Sequence, residues 1–77
     1  MDKQLEQYFE DQFQMFSEQG WKDFTEEATK LRDSLNSLDQ VVSTETLWLR
    51  KGQIDMLNWI INRQVVVTST YQDNLDE

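Results

Sequence analysis

The chain contains neither cysteine nor histidine. Their absence removes disulfides, thiolate nucleophiles, imidazole bases and the common zinc ligand sets together. Proline is also absent, and glycine occurs only at Gly20 and Gly52. Without proline, long uninterrupted helices are permitted. No apolar run reaches the roughly 20 residues of a membrane span. Met1 leads into an acidic helical pattern and not into a charged-then-apolar signal. These features predict a protein with no membrane association, cytoplasmic at synthesis.

Basic residues are scarce. Seven Lys and Arg stand against fifteen Asp and Glu, a net charge of −8. Nucleic-acid binders carry a basic stripe, so direct nucleic-acid binding is disfavoured. Basic partners are electrostatically favoured, although net charge also serves solubility alone. The one basic cluster of the third helical segment, Arg50-Lys51 with Arg63 further on, is expected to balance neighbouring acids.

Catalytic patterns are missing as well. Glu6 and Glu10 share a helix side, but nothing beside them supplies a further ligand or a base. Asp73, Asp76 and Glu77 do not form a calcium loop, which needs a central Gly and a terminal bidentate Glu. No Gly-rich loop is present to cradle a phosphate. The expectation is a protein that is not an enzyme and takes no cofactor or metal.

What the sequence does contain is a large apolar complement for its length. Of 77 residues 38% are hydrophobic, among them four Phe, three Trp and two Tyr, which is too apolar and too aromatic for a disordered chain. Periodicity predicts an all-α fold: a small three-helix arrangement, with a short N-terminal helix followed by a long antiparallel helical hairpin within a single domain, residues 1–77. Leu5, Tyr8, Phe9, Phe13 and Phe16 recur at three- and four-residue spacing, predicting helix A over about 2–15. The chain turns between 15 and 22, where either Ser17 caps the next helix or Gly20 ends helix A in a left-handed cap. Trp21, Phe24, Ala28, Leu31, Leu35, Leu38 and Val42 form a heptad-like seam, predicting helix B over about 18–38. On its polar side Glu26 and Lys30 are placed to pair. Residues 39–43 read as a short loop, and Ser43 or Thr44 caps helix C, over about 45–68. Residues 71–77 read as an acidic tail, although Tyr71 and Leu75 at i,i+4 also allow the helix to continue.

Helix C contains the stretch LWLRKGQIDMLNWII, which has too much apolar surface for one helix face. At about 100° per residue, Leu47, Ile54, Leu57, Ile61 and Val65 fall on one side. Trp48, Leu49, Gly52, Met56, Trp59 and Ile60 fall on another. Two apolar faces imply two packing partners. If helix C lies between A and B, the chain covers both faces by itself, and Gly52 admits a close neighbour at some cost in helix propensity. The alternative offers one face of C, or the Phe9, Phe13 and Phe16 face of A, to another chain. The candidate packing or partner interface is therefore Phe9, Phe13, Phe16, Trp21, Trp48, Gly52, Met56, Trp59 and Ile60.

Gly20-Trp21-Lys22-Asp23-Phe24 at the head of one helix, with Arg50-Lys51-Gly52-Gln53-Ile54 and Leu57 in the next, resembles small uncharacterised helical proteins of short-tailed, podovirus-like phages, including marine ones. The resemblance covers roughly residues 15–61, with Lys51 here standing between the Arg and the Gly of the pattern. It implies a phage-encoded helical protein tied to virion assembly or host takeover. The expected role is a non-enzymatic virion structural or assembly component acting through apolar helix faces, with a protein partner or a homo-oligomer, in the host cytoplasm or the virion. The alternative is an acidic regulatory binder, a nucleic-acid mimic that inhibits a host enzyme. Lys22, Lys30 and Arg32 interrupt its row of acids and rank that alternative second.

Overall fold

Asp2 begins the first helix. Its Oδ1 accepts the Leu5 N–H at 2.7 Å, satisfying one of the four amide groups that a helix start leaves without an internal acceptor, worth about 1 kcal/mol. The computed structural model describes residues 1–36 and 43–76. Among the described residues there are four α-helices and no strand. They are α1, Lys3–Ser17; α2, Gln19–Leu35; α3, Thr44–Ile61; and α4, Arg63–Leu75.

Four helices replace the expected three, and the turn between α1 and α2 is made differently from either expectation. Ser17 is the last residue of α1, and its hydroxyl donates to the Gln14 carbonyl. Gly20 lies inside α2, and no described residue has a positive φ. The turn is a single extended residue, Glu18 (φ −74°, ψ 142°), whose N–H donates to the Met15 carbonyl at 3.0 Å. Glu18 also occupies the N-cap of α2 but makes no side-chain cap bond. The start of α3 agrees with the sequence: Ser43 caps it, its Oγ accepting the Thr46 N–H at 3.1 Å. Leu38, Val42 and most of the expected 39–43 loop lie outside the described residues.

The expected helix C, 45–68, is two helices. Asn62 interrupts it at φ −91°, ψ 4°, the sparsely allowed bridge region typical of turns. The N–H of Asn62 still reaches the Asn58 carbonyl, and that of Val66 reaches Asn62, so few backbone bonds are lost. The segment beyond the break, rich in β-branched residues, is weakly helical on its own. It is held by packing against α1. Residues 71–75, expected in an acidic tail, complete α4.

That packing forms the core. Phe9, Phe16 and Val67 are buried, and Leu5, Phe13, Trp21 and Tyr71 pack around them. Tyr71 meets Phe9 and Phe13 edge-on, with centroids 5.1 and 5.2 Å away. Trp21, at the head of α2, tilts against Phe16 at 5.2 Å. Helix α1 is thus packed on α4 and on the start of α2. The alternative in which the phenylalanine face of α1 serves another chain is excluded for Phe9 and Phe16, whose side chains are used up inside the monomer.

Helices α2 and α3 form a second packed pair. Ala28 is its one buried side chain, while Phe24 and Leu31 share a hollow with Leu57 and Ile60. Arg32 Nη1 donates to Asn58 Oδ1 at 3.0 Å across the pair. The molecule measures 51 × 27 × 16 Å, with a radius of gyration of 16.5 Å. A globular chain of this length has a radius of about 11.5 Å. An 18-residue helix is about 27 Å long, so the 51 Å length sets the two helix pairs largely end to end.

Candidate partner-binding face

The candidate interface residues separate into two places. Phe9, Phe13, Phe16 and Trp21 belong to the α1–α4 core or its margin. Trp48, Gly52, Met56 and Trp59 lie together on α3, exposed, with Ile60 half-buried at their edge. With Trp48 64%, Leu49 66%, Met56 60% and Trp59 58% exposed, none of the four described helices covers this face.

The self-covered arrangement, with helix C between A and B, is therefore corrected. The first apolar face of α3 does meet α2: Ile54, Leu57 and Ile61 are half-buried. The two ends of the expected face are open: Leu47 is 44% exposed, and Val65, on α4 beyond the break at Asn62, is 69% exposed. The tryptophan face stays open because α1 packs on Val67 and Tyr71 instead. The consequence is unusual for the most apolar of the four helices: α3 has no buried residue at all.

The face includes an open apolar groove of about 640 Å³ between the two helices, lined by Leu31 and Leu35 of α2 and Trp48, Leu49, Gly52 and Met56 of α3, among others. Gly52 and Met56 also border a second hollow with Asp55 and Trp59. Gly52 is the notch between them. A Cβ at this position would meet nothing within 4 Å, so the expectation that a neighbour already occupies the space is overturned. Leu31 and Leu35 belong to the seam of α2, and that seam is left half-open because α3 presents Leu57 to it and not its full width.

Charge around the face is balanced locally. Lys51 Nζ lies 2.8 Å from Asp55 Oδ2 one turn on, and the Arg63 guanidinium stacks over Trp59 at 4.5 Å from the ring centroid. Helix α3 itself holds two acids, Glu45 and Asp55, and two bases, Arg50 and Lys51. The acid excess lies elsewhere: residues 1–36 hold nine acidic and four basic side chains. On α2 the expected Glu26–Lys30 pair forms at 3.4 Å, in water on both sides, and Arg32 turns to Asp33 as well as to Asn58.

Among the described residues no group of three or more acidic side chains converges where a metal ion could sit, and no helix is long and apolar enough to cross a membrane. Comparison with protein-family models, curated proteins and solved structures finds no match.

Proposed function

We propose that the chain is a non-enzymatic interaction protein of phage type, a virion structural or assembly component that acts through the open apolar face of an antiparallel α2–α3 helical hairpin. The observation that carries this reading is that α3 has no fully buried side chain and leaves Trp48, Leu49, Met56 and Trp59 exposed together on one face. Exposed apolar side chains gathered on one surface mark interaction sites in soluble proteins, and tryptophan is the side chain most enriched where binding energy concentrates. The hairpin reading rests on the pairing of Phe24 and Ala28 with Ile60 at one end, and of Leu35 with Leu49 and Gln53 at the other. The phage assignment rests on the resemblance of the Gly20–Phe24 and Arg50–Leu57 segments.

The alternative, an acidic mimic, needs uninterrupted acids along one exposed face. The Glu26–Lys30 and Arg32–Asp33 pairs break that row on α2, which ranks it second.

The test compares the tagged parent with the Trp48→Ala/Trp59→Ala variant in affinity capture from infected cells. The reading expects virion or assembly proteins, this chain's own untagged copies included, with the parent and their loss with the variant at unchanged helical content. Capture of the same set by both proteins overturns it.

A further inference from the structure

We infer that the occupant of the open α3 face is a second copy of this chain, packed about a twofold axis that passes near Gly52, so that two α2–α3 pairs stack into a four-helix assembly. This rests on the proposed interaction role of that face and names its partner.

Area is the first argument. The chain exposes 6001 Å², whereas a folded monomer of 9.3 kDa exposes about 5,000 Å². The excess, about 1,000 Å², is close to the roughly 800 Å² that each partner contributes to a stable protein–protein interface. The excess also has a place in the fold. Among the described residues, the α1–α4 end holds three of the four buried hydrophobic side chains, and the α2–α3 end has only Ala28. Two helices alone make one layer, and a core needs two. A second α2–α3 pair laid on the first supplies that layer in the commonest closed symmetry.

Shape is the second argument. Trp48, Gly52 and Met56 follow one another at four-residue spacing, a row of large, absent and large side chains on one face. Such a row is complementary to itself when reversed. An axis at Gly52 sets the Trp48 of each copy toward the other copy's Met56, a favourable sulfur–aromatic pairing. The missing Cβ at Gly52, with nothing within 4 Å of it, lets the two helices approach where they cross. The exposed Leu31 and the half-buried Leu35 border the same groove and close over the flanks.

Charge is the third. A twofold contact places each charge near its own copy, so a face of one sign would repel itself. Helix α3 has equal numbers of acids and bases, α2 has four acids against three bases, and the larger excess lies on α1, three acids against one base, and on its flanking Asp2 and Glu18. A hetero-partner drawn to the net charge of −8 would be basic and would be recognised on those acidic helices, not on this neutral apolar one.

The test is sedimentation of the full chain from about 1 to 100 μM at two salt concentrations. The parent should reach twice the 9.3 kDa chain mass, and more so at high salt, which screens the repulsion between two acidic copies. Met56→Glu should raise the dissociation constant by more than about tenfold with an unchanged helical spectrum. Since the chain has no cysteine, Gly52→Cys should oxidise to a disulfide-linked dimer faster than Glu10→Cys at an exposed position of α1. A parent that stays monomeric throughout overturns the inference; so does a dimer indifferent to Met56→Glu, or cross-linking at position 52 no faster than at position 10. A monomer that still captures other proteins only when Trp48 and Trp59 are present overturns the second copy and leaves the proposed function standing.

Discussion

Tyr71 stands edge-on to Phe9, with ring centroids 5.1 Å apart and planes at 65°, and this contact joins two helices that are separated by most of the chain. It decides where the N-terminal helix goes. Edge-to-face pairs contribute about 0.5–1.5 kcal/mol beyond the area they bury. With Phe9 and Val67 both 2% exposed, this junction is the best-packed part of the molecule.

Phe9→Ala should cost about 3–5 kcal/mol, a large part of the stability of so small a domain. Urea denaturation followed by circular dichroism checks it. Tyr71→Ala, at a half-buried site, should cost less than Phe9→Ala but melt the same unit. An unfolding midpoint unmoved by either change would place α1 loose in solution.

Gly52→Ala should stabilise the isolated chain. A Cβ there meets no other atom within 4 Å, so the change recovers the helix propensity lost at glycine, about 0.8–1 kcal/mol. For a domain of this size that is a rise of about 4–8 °C in Tm, read in thermal melts at low micromolar concentration. A lower Tm in the variant would reveal a neighbour packed at this position.

Removing the tryptophans should leave folding nearly intact. Trp48→Ala deletes a side chain 64% exposed, and surface changes of this kind stay within about 0.5 kcal/mol. Trp59→Ala loses in addition the stacked Arg63, worth about 0.5–1 kcal/mol. Both changes should nevertheless lower the binding of a hydrophobic dye such as anilinonaphthalene sulfonate. Destabilisation above about 2 kcal/mol from Trp48→Ala would contradict the open face.

The two ends of the chain's cap usage make a matched pair of predictions. Asp2→Ala removes a formed cap bond to the Leu5 N–H and should cost about 1 kcal/mol. Glu18→Ser introduces a good cap where the present residue makes none and should gain about 0.5–1 kcal/mol. Opposite signs in denaturant titrations support the assigned helix starts; equal signs would move the α1–α2 boundary.

Much of the fold was legible from periodicity alone. The seam Trp21, Phe24, Ala28, Leu31 and Leu35 predicts α2, and Ser43-Thr44 predicts the start of α3 to within one residue, because amide capping and the 3.6-residue repeat act over a few neighbouring residues. The two apolar faces of α3 are equally local and equally visible. Which of them is covered is not a local property. Leu57 and Trp48 are both apolar, and only the packing of the rest of the chain distinguishes them. That packing engages the run Val65 to Thr70, whose weak helix propensity leaves its course to tertiary contacts, and the break at Asn62 is marked by no proline or glycine. The sequence by itself determined an all-helical chain, helix starts near Asp2 and at Ser43 or Thr44, and the surplus of apolar surface on one helix. Tertiary structure decided that Phe9 and Phe16 enclose Val67 with Tyr71 packed against them, and not the face of Trp48 and Trp59. The reason is that the aromatic face of α1 is packed on Val67 and Tyr71 of α4, which leaves α2 as the helix beside α3, and one helix covers only one of its two apolar faces.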